Sequence, residues 1–345
     1  MIIRLKKNTN SEQLNSIQNK IKSLGCDFFY REKHNEIIVS KLNNEKPFEI
    51  FDFVDEVLLI ETRHQLSNTI YKNKTRFSVK DIEINSGVAT IIAGPCSIEN
   101  EEQIFETAEF ISKLGVKFIR GGAFKPRTSP YNFRGLGIDG LKFISAAAKK
   151  FDLRVVTELM DLSLLDDVYN YADVLQIGSR NMSNFYMLNE LGKINKPVML
   201  KRGSNSKTFE WLLAADYIMC GGNEQIILCE RGIRSFDPEM RNVFDLNVIP
   251  LVKSMSHLPI FADPSHGCGN ATFVPQMSLA ALAAGADGLM IEIHPEPVKA
   301  LSDSQQALSF FEFEMLLNKI NKMTSAISNQ TQNITEQNQI LTSPK

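Results

Sequence analysis

Residues 120–137, RGGAFKPRTSPYNFRGLG, place four cationic side chains among residues typical of a fixed, irregular backbone. The segment follows an apolar run at 116–119 and precedes a helical pattern that begins at Ile138. This order predicts a loop that leaves the C-terminal end of a strand.

Three residues of this loop are suited to hold an anion. Lys125, Arg127 and Thr128 are donors, and Pro126 and Pro130 fix the backbone between and beside them. A proline reduces the conformational entropy that is lost when neighbouring side chains are ordered on a ligand. An isolated basic loop of this kind is often only a solvated surface segment, so the prediction of an anion site depends on the rest of the chain.

Ionisable side chains also stand at the end of each of eight short apolar runs that read as strands. From the first run to the eighth they are Cys96; Arg120, Lys125 and Arg127; Glu158; Arg180; Lys201 and Arg202; Glu230 and Arg231; Asp263 and His266; and Glu292 and His294. Cations outnumber carboxylates among them, and like charges at such density need acidic neighbours or anionic ligands to compensate. The set predicts a substrate with more than one phosphate or carboxylate, with arginines as bidentate donors.

A second set at these strand ends has the chemistry of metal ligands. It consists of Cys96, His266, Glu292, His294 and, just beyond the eighth run, Asp303. None has the short spacing of a metal-binding motif, so each residue taken alone fits a structural role as well. Together they suit a borderline divalent ion, and manganese, iron, cobalt and zinc all remain open.

These positions need a scaffold that brings eight strand ends together. Apolar β-branched runs alternate with helical stretches over residues 88–327, which matches the size and rhythm of a (β/α)8 barrel. The predicted strands are 88–93, 116–120, 154–157, 174–177, 198–201, 225–229, 259–262 and 288–293. The main predicted helices are 101–114, 162–171, 208–219, 275–284 and 305–323. A doubly wound open sheet is the alternative, but no run is followed by a GxGxxG turn.

The pattern before and after the barrel is different. Residues 1–62 read as β-α-β-β-α-β, with strands over 1–6, 37–41 and 57–60 and helices over 11–24 and 47–53. This is the order of a small α+β ferredoxin-like domain, and because it lacks a convergent set of ionisable residues we expect a regulatory or assembly role. Residues 63–87 read as a linker with a strand pair over 76–84, and the polar tail 328–345 as disordered.

Composition excludes several classes of protein. The 345 residues carry a formal net charge of -2, which argues against a nucleic-acid or anionic-membrane partner chosen by bulk charge. No apolar run approaches the roughly 18 residues of a membrane-spanning helix, and the N-terminus does not read as a signal peptide. The five cysteines are odd in number and scattered, so we expect reduced thiols and a cytoplasmic protein.

Seven motifs are more specific than these patterns. They are AGPCSIE at 93–99, RGGAFKPRTSPY at 120–131, QIGSRN at 176–181, LKRG at 200–203, ILCERGIRSF at 227–236, DPSHG at 263–267, and IEIHPEP at 291–297 with LSDSQQAL at 301–308. In them the chain resembles the 3-deoxy-D-arabino-heptulosonate 7-phosphate (DAHP) synthases, and its N-terminal extension is similar to that of the type I beta subgroup. The resemblance covers nearly the whole chain up to about residue 327. It implies a metal-dependent condensation of phosphoenolpyruvate with erythrose 4-phosphate, which releases phosphate and opens the shikimate pathway.

The resemblance also implies roles for individual residues. The implied metal ligands are Cys96, His266, Glu292 and Asp303. The residues implied for phosphoenolpyruvate are Arg120, Lys125, Ser179, Arg180, Lys201 and Arg231, and those for the phosphate of erythrose 4-phosphate are Arg127 and Thr128. The implied catalytic residues are Lys125, Lys201, Glu158 and Asp263, with the proton donors and acceptors among them left open.

Two alternative functions and a regulatory expectation accompany this interpretation. The resemblance extends to 3-deoxy-D-manno-octulosonate 8-phosphate synthase, which uses arabinose 5-phosphate, but that family has an Ala-Asn pair where this chain has Pro126 and Arg127. A non-catalytic sensor on a barrel scaffold is the other alternative. The resemblance further implies a homotetramer and feedback inhibition by tyrosine or phenylalanine through the N-terminal domain.

Overall fold

The computed structural model describes residues 1–40, 46–48, 50–126 and 129–325. Its N-terminal part is a small antiparallel sheet with one helix. The elements are β1 (Ile2–Leu5), α1 (Ser11–Ser23), β2 (Phe28–Arg31), β3 (Glu36–Val39) and β4 (Val54–Leu58). The strands pair in the order β2-β3-β1-β4, and every pair is antiparallel. This is the arrangement expected of a ferredoxin-like sheet, and α1 packs its buried Ile17 and Ile21 against it.

The predicted helix over 47–53 is wrong. The chain there forms a 3-10 turn at Lys46–Phe48, and both Phe48 and Phe53 are buried in the core of the small sheet. Residues five apart lie on different faces of an α-helix, so a helix could not have buried both rings on one side. Burial of the two aromatic rings decides the conformation.

A two-stranded hairpin closes one end of the barrel. Its strands are β5 (Phe77–Val79) and β6 (Ile82–Ile84), which confirms the strand pair predicted over 76–84. Val79 and Ile84 share a buried cluster with Phe118, Met199 and Met290, side chains that fill the barrel interior. The hairpin therefore acts as an apolar plug at the N-terminal ends of the barrel strands.

Eight parallel strands close into the predicted (β/α)8 barrel. They are β7 (Thr90–Gly94), β8 (Phe118–Arg120), β9 (Arg154–Glu158), β10 (Val174–Ile177), β11 (Val198–Lys201), β12 (Ile226–Glu230), β13 (Ile260–Ala262) and β14 (Gly288–Glu292). Pairing of β14 with β7, in register from Gly288 with Thr90 to Glu292 with Gly94, closes the sheet. The alternative of an open doubly wound sheet is therefore wrong.

Helices follow the barrel strands, and those longer than five residues cover its outer face. They are α2 (Glu101–Lys113), α3 (Ile138–Lys150), α4 (Leu165–Tyr171), α5 (Phe185–Lys193), α6 (Thr208–Cys220), α7 (Val248–Met255), α8 (Pro264–Cys268), α9 (Val274–Ala283) and a last helical stretch at 310–325. Each strand is buried on both faces: in β11, Leu200 packs outward against the helices while Met199 fills the interior. Burial on both sides explains why the strands read as continuous apolar runs.

The small sheet joins the barrel through a buried polar network. Arg31, 2% exposed, donates to Glu36 Oε2 at 2.6 Å, to the Tyr71 hydroxyl at 2.8 Å and to Glu224 Oε1 at 3.0 Å. Tyr71 lies between the two units in the chain and donates to Glu224 Oε1 at 2.7 Å, while Glu224 precedes β12 of the barrel. We call Arg31, Glu36, Tyr71 and Glu224 the interdomain network.

Candidate active site

One cavity of about 390 Å³ opens at the C-terminal ends of the barrel strands. Two acidic side chains, Glu158 and Asp303, line it together with seven cationic ones. The cations are Arg120, Lys125, Arg180, Lys201, Arg231, Arg234 and Arg241. A protein of net charge -2 thus concentrates positive charge at one mouth, as the sequence pattern predicts. Such a cavity favours a ligand with several negative charges.

Four predicted metal ligands meet at the edge of this cavity. The ligand atoms of Cys96, Glu292 and Asp303 all lie within 4.8 Å of one another, and Cys96 Sγ lies 3.2 Å from Asp303 Oδ2. His266 Nε2 is 3.5 Å from Glu292 Oε1 and 4.0 Å from Asp303 Oδ2. Sequence spacing gave no sign of this group, because its members follow three different strands of the barrel.

Local structure explains how two of these ligands are held. Gly94 has a φ of +152°, and a Cβ there would overlap the Arg120 carbonyl oxygen, so glycine lets the end of β7 approach β8 beside Cys96. His266 lies in the short helix α8, whose N-cap Asp263 accepts from the His266 backbone N–H at 3.0 Å. Nearby residues therefore hold the backbone of both ligands in place.

His294 does not join the donor set. Its Nε2 faces Glu99 Oε2 at 3.5 Å, and its Nδ1 accepts from the Glu296 backbone N–H at 3.0 Å. The inclusion of His294 among the possible ligands is therefore wrong. The residue follows Glu292 by two positions in the chain, so an extended backbone would direct both side chains alike, but β14 ends at Glu292.

The electrostatics of the donor set suit a divalent cation. Burial alone would raise the pKa of Glu292, but His266 and Arg120 outweigh it and lower the pKa to about 2. Burial and the nearby Glu292 raise the pKa of the Cys96 thiol to about 11, so without an added cation the sulfur keeps its proton. A divalent ion stabilises a thiolate beside carboxylates and a neutral imidazole, and the set therefore fits such an ion.

Two lysines of the cavity lie beside the donor set, Lys125 in direct contact with it and Lys201 through Asp263. Lys125 Nζ lies 3.1 Å from the Cys96 Sγ atom and 3.1 Å from its carbonyl oxygen. Lys201 Nζ donates to Asp263 Oδ2 at 2.5 Å, and His266 Nδ1 lies 2.7 Å from the same oxygen. Lys201 ends β11 and Asp263 follows β13, and alternate strands of such barrels share a layer of inward-facing side chains.

Two arginines carry charge without a carboxylate partner. Arg231 is 8% exposed, its hydrogen bond goes to the Gly232 carbonyl oxygen at 3.3 Å, and burial lowers its pKa. Arg180 is exposed and donates to the Pro126 carbonyl oxygen at 3.3 Å. Among the residues that the structure describes, neither forms an ion pair with a carboxylate. An unpaired buried guanidinium is costly, so a ligand anion is the expected partner.

The remaining predicted site residues divide into two groups. Glu158 and Ser179 line the cavity, and Arg120 pairs with Glu292 at its base. Arg127 and Thr128 lie outside the described residues, although the preceding Pro126 lines the cavity.

Sequence reasoning missed several residues of the site. Arg234 lines the cavity, as does Arg241, whose guanidinium lies 3.5 Å from Asp303 Oδ1 and also donates to Gln306. Gln306 is fully buried and donates to Glu292 Oε2 at 2.6 Å. The two arginines lie in the loop that follows β12, so a count of cations that extended past the strand ends would have found them.

Comparison with known proteins decides the family. The DAHP synthetase I family matches residues 67–329, which is most of the chain. The chain belongs to the DAHP synthetase I family. The family and the enzyme class predicted from the motifs are therefore confirmed.

Relatives of this DAHP synthetase I chain are similar over different lengths. A phospho-2-dehydro-3-deoxyheptonate aldolase of Thermotoga maritima is 42% identical over 333 residues, which cover 95% of this chain and 98% of that protein. A 2-dehydro-3-deoxyphosphooctonate aldolase of Francisella philomiragia is 29% identical over 271 residues, which cover 73% of this chain and 98% of that protein. The first relative thus extends over the N-terminal sheet as well as the barrel.

Solved structures support the same membership. The crystal structure of the Thermotoga maritima DAHP synthase has a TM-score of 0.77 and 41% identity, and it covers 94% of this chain and 97% of that one. A truncated form from the same organism has a TM-score of 0.72 and 44% identity, with 76% of this chain and 97% of that one covered.

Within the described residues, no helix has the length and apolar character needed to cross a membrane.

Proposed function

We propose that this protein condenses phosphoenolpyruvate with erythrose 4-phosphate to give DAHP and phosphate, the first step of aromatic amino acid biosynthesis. The observation that carries the proposal is the placement of a thiol, imidazole and carboxylate donor set beside a cavity with seven cations and two acids. Both substrates carry a phosphate, and phosphoenolpyruvate adds a carboxylate. Family membership supports the same reaction.

We further propose that Cys96, His266, Glu292 and Asp303 hold one divalent ion, manganese, iron, cobalt or zinc. When bound, such an ion supplies Lewis-acid polarisation of the aldehyde of erythrose 4-phosphate. The chain's own contribution is to keep the donors in place: Gln306 donates to Glu292 Oε2 at 2.6 Å and is itself held by Arg241.

The cations that line the cavity are proposed to bind phosphoenolpyruvate. Arg180, Lys201 and Arg231 hold its phosphate, with Ser179 beside them, and Arg120 and Lys125 lie near its carboxylate and reacting carbon. Support comes from Arg231 and Arg180, whose charges lack carboxylate partners in the described part of the chain. Clamping two substrates by their charged ends supplies orientation, an effect worth on the order of 7 to 11 kcal/mol in favourable cases.

Proton transfer is assigned to the groups beside the donor set. The new carbon–carbon bond leaves positive character on the enol carbon, water adds there, and the carbon–oxygen bond to phosphate then breaks. The aldehyde oxygen gains a proton, the attacking water loses one as it adds, and the second proton of that water leaves with the phosphate. Lys125 and the Lys201–Asp263 pair are placed to handle these protons, and Glu158 lines the same cavity.

Arg127 and Thr128 are proposed to bind the phosphate of erythrose 4-phosphate, with Pro126 setting their distance from Lys125. Arg127→Ala should raise the KM for erythrose 4-phosphate far more than the KM for phosphoenolpyruvate. Steady-state kinetics with each substrate varied in turn measures this, and equal changes in the two KM values would refute the division of roles.

The alternative substrate is arabinose 5-phosphate. Relatives with a 2-dehydro-3-deoxyphosphooctonate aldolase name are less similar, at 29% identity for the one from Francisella philomiragia, which supports the four-carbon sugar phosphate. Phosphate release from phosphoenolpyruvate should be fast with erythrose 4-phosphate and slow with arabinose 5-phosphate. A preference for arabinose 5-phosphate would overturn the choice of substrate.

For the N-terminal unit, residues 1–62, we propose regulation: feedback inhibition by tyrosine or phenylalanine in a homotetramer, with residues 63–87 as the linker to the barrel at 88–327. The small sheet contributes none of the residues that line the cavity, which supports a role away from the chemistry. Inhibition that persists after deletion of residues 1–62 would refute this role.

The proposed cytoplasmic location is supported by the five free cysteines. The tail 328–345 lies outside the described residues.

A further inference from the structure

Two chain segments beside the donor set are bonded to each other by side chains that the reaction itself does not use. One segment, residues 97–99, follows the ligand Cys96, and the other, residues 294–302, precedes the ligand Asp303. Ser97 Oγ and Ser302 Oγ lie 2.6 Å apart, and both serines are buried. The hydrogen bond therefore joins the residue after one ligand to the residue before the other.

Glu99 makes the second link between these segments. Its Oε1 accepts from the Leu301 backbone N–H at 2.8 Å, two residues before Asp303. The glutamate side chain is 8% exposed, although it lies in a loop. Its backbone is anchored from the other side, because the Glu99 N–H donates to the Gln103 side chain in α2 at 3.2 Å. Glu99 thus connects a fixed helix to the loop that carries Asp303.

His294 faces the other oxygen of the same carboxylate. Because His294 Nδ1 accepts from the Glu296 N–H at 3.0 Å, the ring proton of the neutral form lies on Nε2. That nitrogen is buried and makes no hydrogen bond within the described residues. The carboxylate oxygen beside it is Glu99 Oε2, at a distance of 3.5 Å. His294 therefore lies against the same carboxylate that accepts from the Leu301 N–H.

The backbone at Asp303 shows why such links are needed. Asp303 has a φ of 48°, in the left-handed region that residues other than glycine seldom adopt, although aspartate does so more readily than most. A strained backbone persists where neighbouring contacts hold it. Its carboxylate lies 3.2 Å from Cys96 Sγ, so the position of one ligand relative to the other depends on how these two segments are joined.

We propose that Ser97, Glu99, His294 and Ser302, here called the loop clasp, position Cys96 and Asp303 to bind the divalent ion together. The four are positioning residues and touch neither substrate. The inference rests on the metal site of the proposed function and does not depend on which sugar phosphate reacts. Groups that hold metal ligands in place typically change metal affinity by about 10- to 100-fold when they are removed.

Cobalt binding tests the clasp directly. Full-length protein stripped of metal is titrated with Co²⁺, and the thiolate-to-cobalt absorption band reports coordination by Cys96. Glu99→Leu should weaken Co²⁺ binding by about 10- to 100-fold. Glu99→Gln, which keeps one acceptor oxygen for the Leu301 N–H, should recover part of the affinity. Ser302→Ala should give a smaller loss and leaves the carboxylate in place.

Glu296→Gln is the matched control. Its carboxylate lies in the same loop but is 59% exposed and pairs with Lys299, so Co²⁺ affinity should stay at the wild-type value. Thermal melting of the metal-free variants shows whether each remains folded, and Ser302→Ala serves if Glu99→Leu does not fold.

Each outcome decides between the inference and the reaction. Wild-type Co²⁺ affinity and an unchanged band in Glu99→Leu and in Ser302→Ala would overturn the clasp. A wild-type protein without the thiolate band would overturn both the metal site and the clasp. The third outcome is a wild-type protein that shows the band but does not turn over erythrose 4-phosphate. If Glu99→Leu weakens Co²⁺ binding in that case, the clasp is supported and only the reaction is overturned.

Discussion

Arg31 and Arg231 are both almost wholly buried, but they differ in what surrounds them. Arg31 contacts two carboxylates and a phenol in the interdomain network. Burial acts against its charge, yet Tyr71 and Glu224 outweigh burial and raise its pKa. Arg231 contacts a backbone carbonyl, and burial lowers its pKa. The first network is complete within the chain, and Arg231 is proposed to pair with a ligand anion.

The difference separates structural charges from functional ones. A buried ion pair with satisfied hydrogen bonds is costly to break but does not need a ligand. A buried cation without a counter-ion reduces stability until an anion binds. The interdomain network should therefore control folding and the cavity should control turnover, and the predictions below test this separation.

The largest effect is expected at the donor set. His266→Ala should lower kcat/KM by about 1,000-fold, because Lewis-acid stabilisation is worth several kcal/mol and each 1.36 kcal/mol is a factor of ten. His34→Ala is the matched control, since His34 Nδ1 lies 3.7 Å from Glu224 and belongs to the other region. Steady-state phosphate release measures both. Comparable losses in the two variants would remove the distinction between the regions.

Arg31→Met should act on stability and not on turnover. It removes the buried guanidinium that pairs with both Glu36 and Glu224, at a cost of up to about 3 to 5 kcal/mol in the free energy of unfolding, since Arg4 still pairs with Glu36. Arg4→Met, which removes a 31% exposed partner of Glu36, should cost less than about 1 kcal/mol. Urea unfolding measures both costs. A large fall in kcat/KM for folded Arg31→Met would show that the network serves catalysis.

The interdomain network also predicts a pH dependence of stability. Burial alone would raise the pKa of Glu224, but Tyr71 and Arg31 outweigh it and lower the pKa to about 2 from the ordinary 4.5. A carboxylate with a lowered folded pKa stabilises the fold above its unfolded pKa and loses that contribution as pH falls from about 4.5 to about 2. Glu224→Gln should flatten the stability curve in this window by up to about 3 kcal/mol.

Urea unfolding at several pH values between 5 and 2, with Glu56→Gln beside it, provides the measurement. Glu56 pairs with Arg4 near the surface, and its side chain is 47% exposed. Parallel wild-type and Glu224→Gln curves would mean that this carboxylate does not contribute as described.

The smallest effect is expected for a single cavity cation. Arg231→Ala should raise the KM for phosphoenolpyruvate by about 10- to 100-fold, since a hydrogen bond to a charged group is worth about 1.5 to 3 kcal/mol. The free energy of unfolding should stay the same or rise, because an unpaired buried charge is removed. The KM for erythrose 4-phosphate is the internal control. A large loss of stability would place Arg231 with the structural charges.

The barrel could be predicted from the sequence because its strands are buried on both faces. The strands predicted at 174–177 and 198–201 have the same bounds as β10 and β11 in the structure. The small sheet was less well defined: β4 begins at Val54 and not at 57, and the helix over 47–53 gave way to packing of Phe48 and Phe53. Short elements depend more on the burial of single side chains than on a repeating pattern.

The site was predictable in its chemistry but not in its contacts. Residues at strand ends, such as Lys201 and Glu292, could be placed because the barrel fixes which end they share. Arg241 and Gln306 lie in irregular segments, where tertiary packing sets the direction of each side chain. For the same reason the sequence could not distinguish His294 from the metal ligands. Its Nδ1 accepts a hydrogen bond from the Glu296 N–H, and the ring lies away from the donor set.

Phosphate release by metal-stripped protein, measured with phosphoenolpyruvate and erythrose 4-phosphate before and after Mn²⁺ is added, tests the central claim most directly. We expect no turnover after chelation and full recovery with Mn²⁺, because the donor set of Cys96, His266, Glu292 and Asp303 serves the cation-lined cavity beside it. Undiminished phosphate release without a metal, or no release with one, would contradict the account.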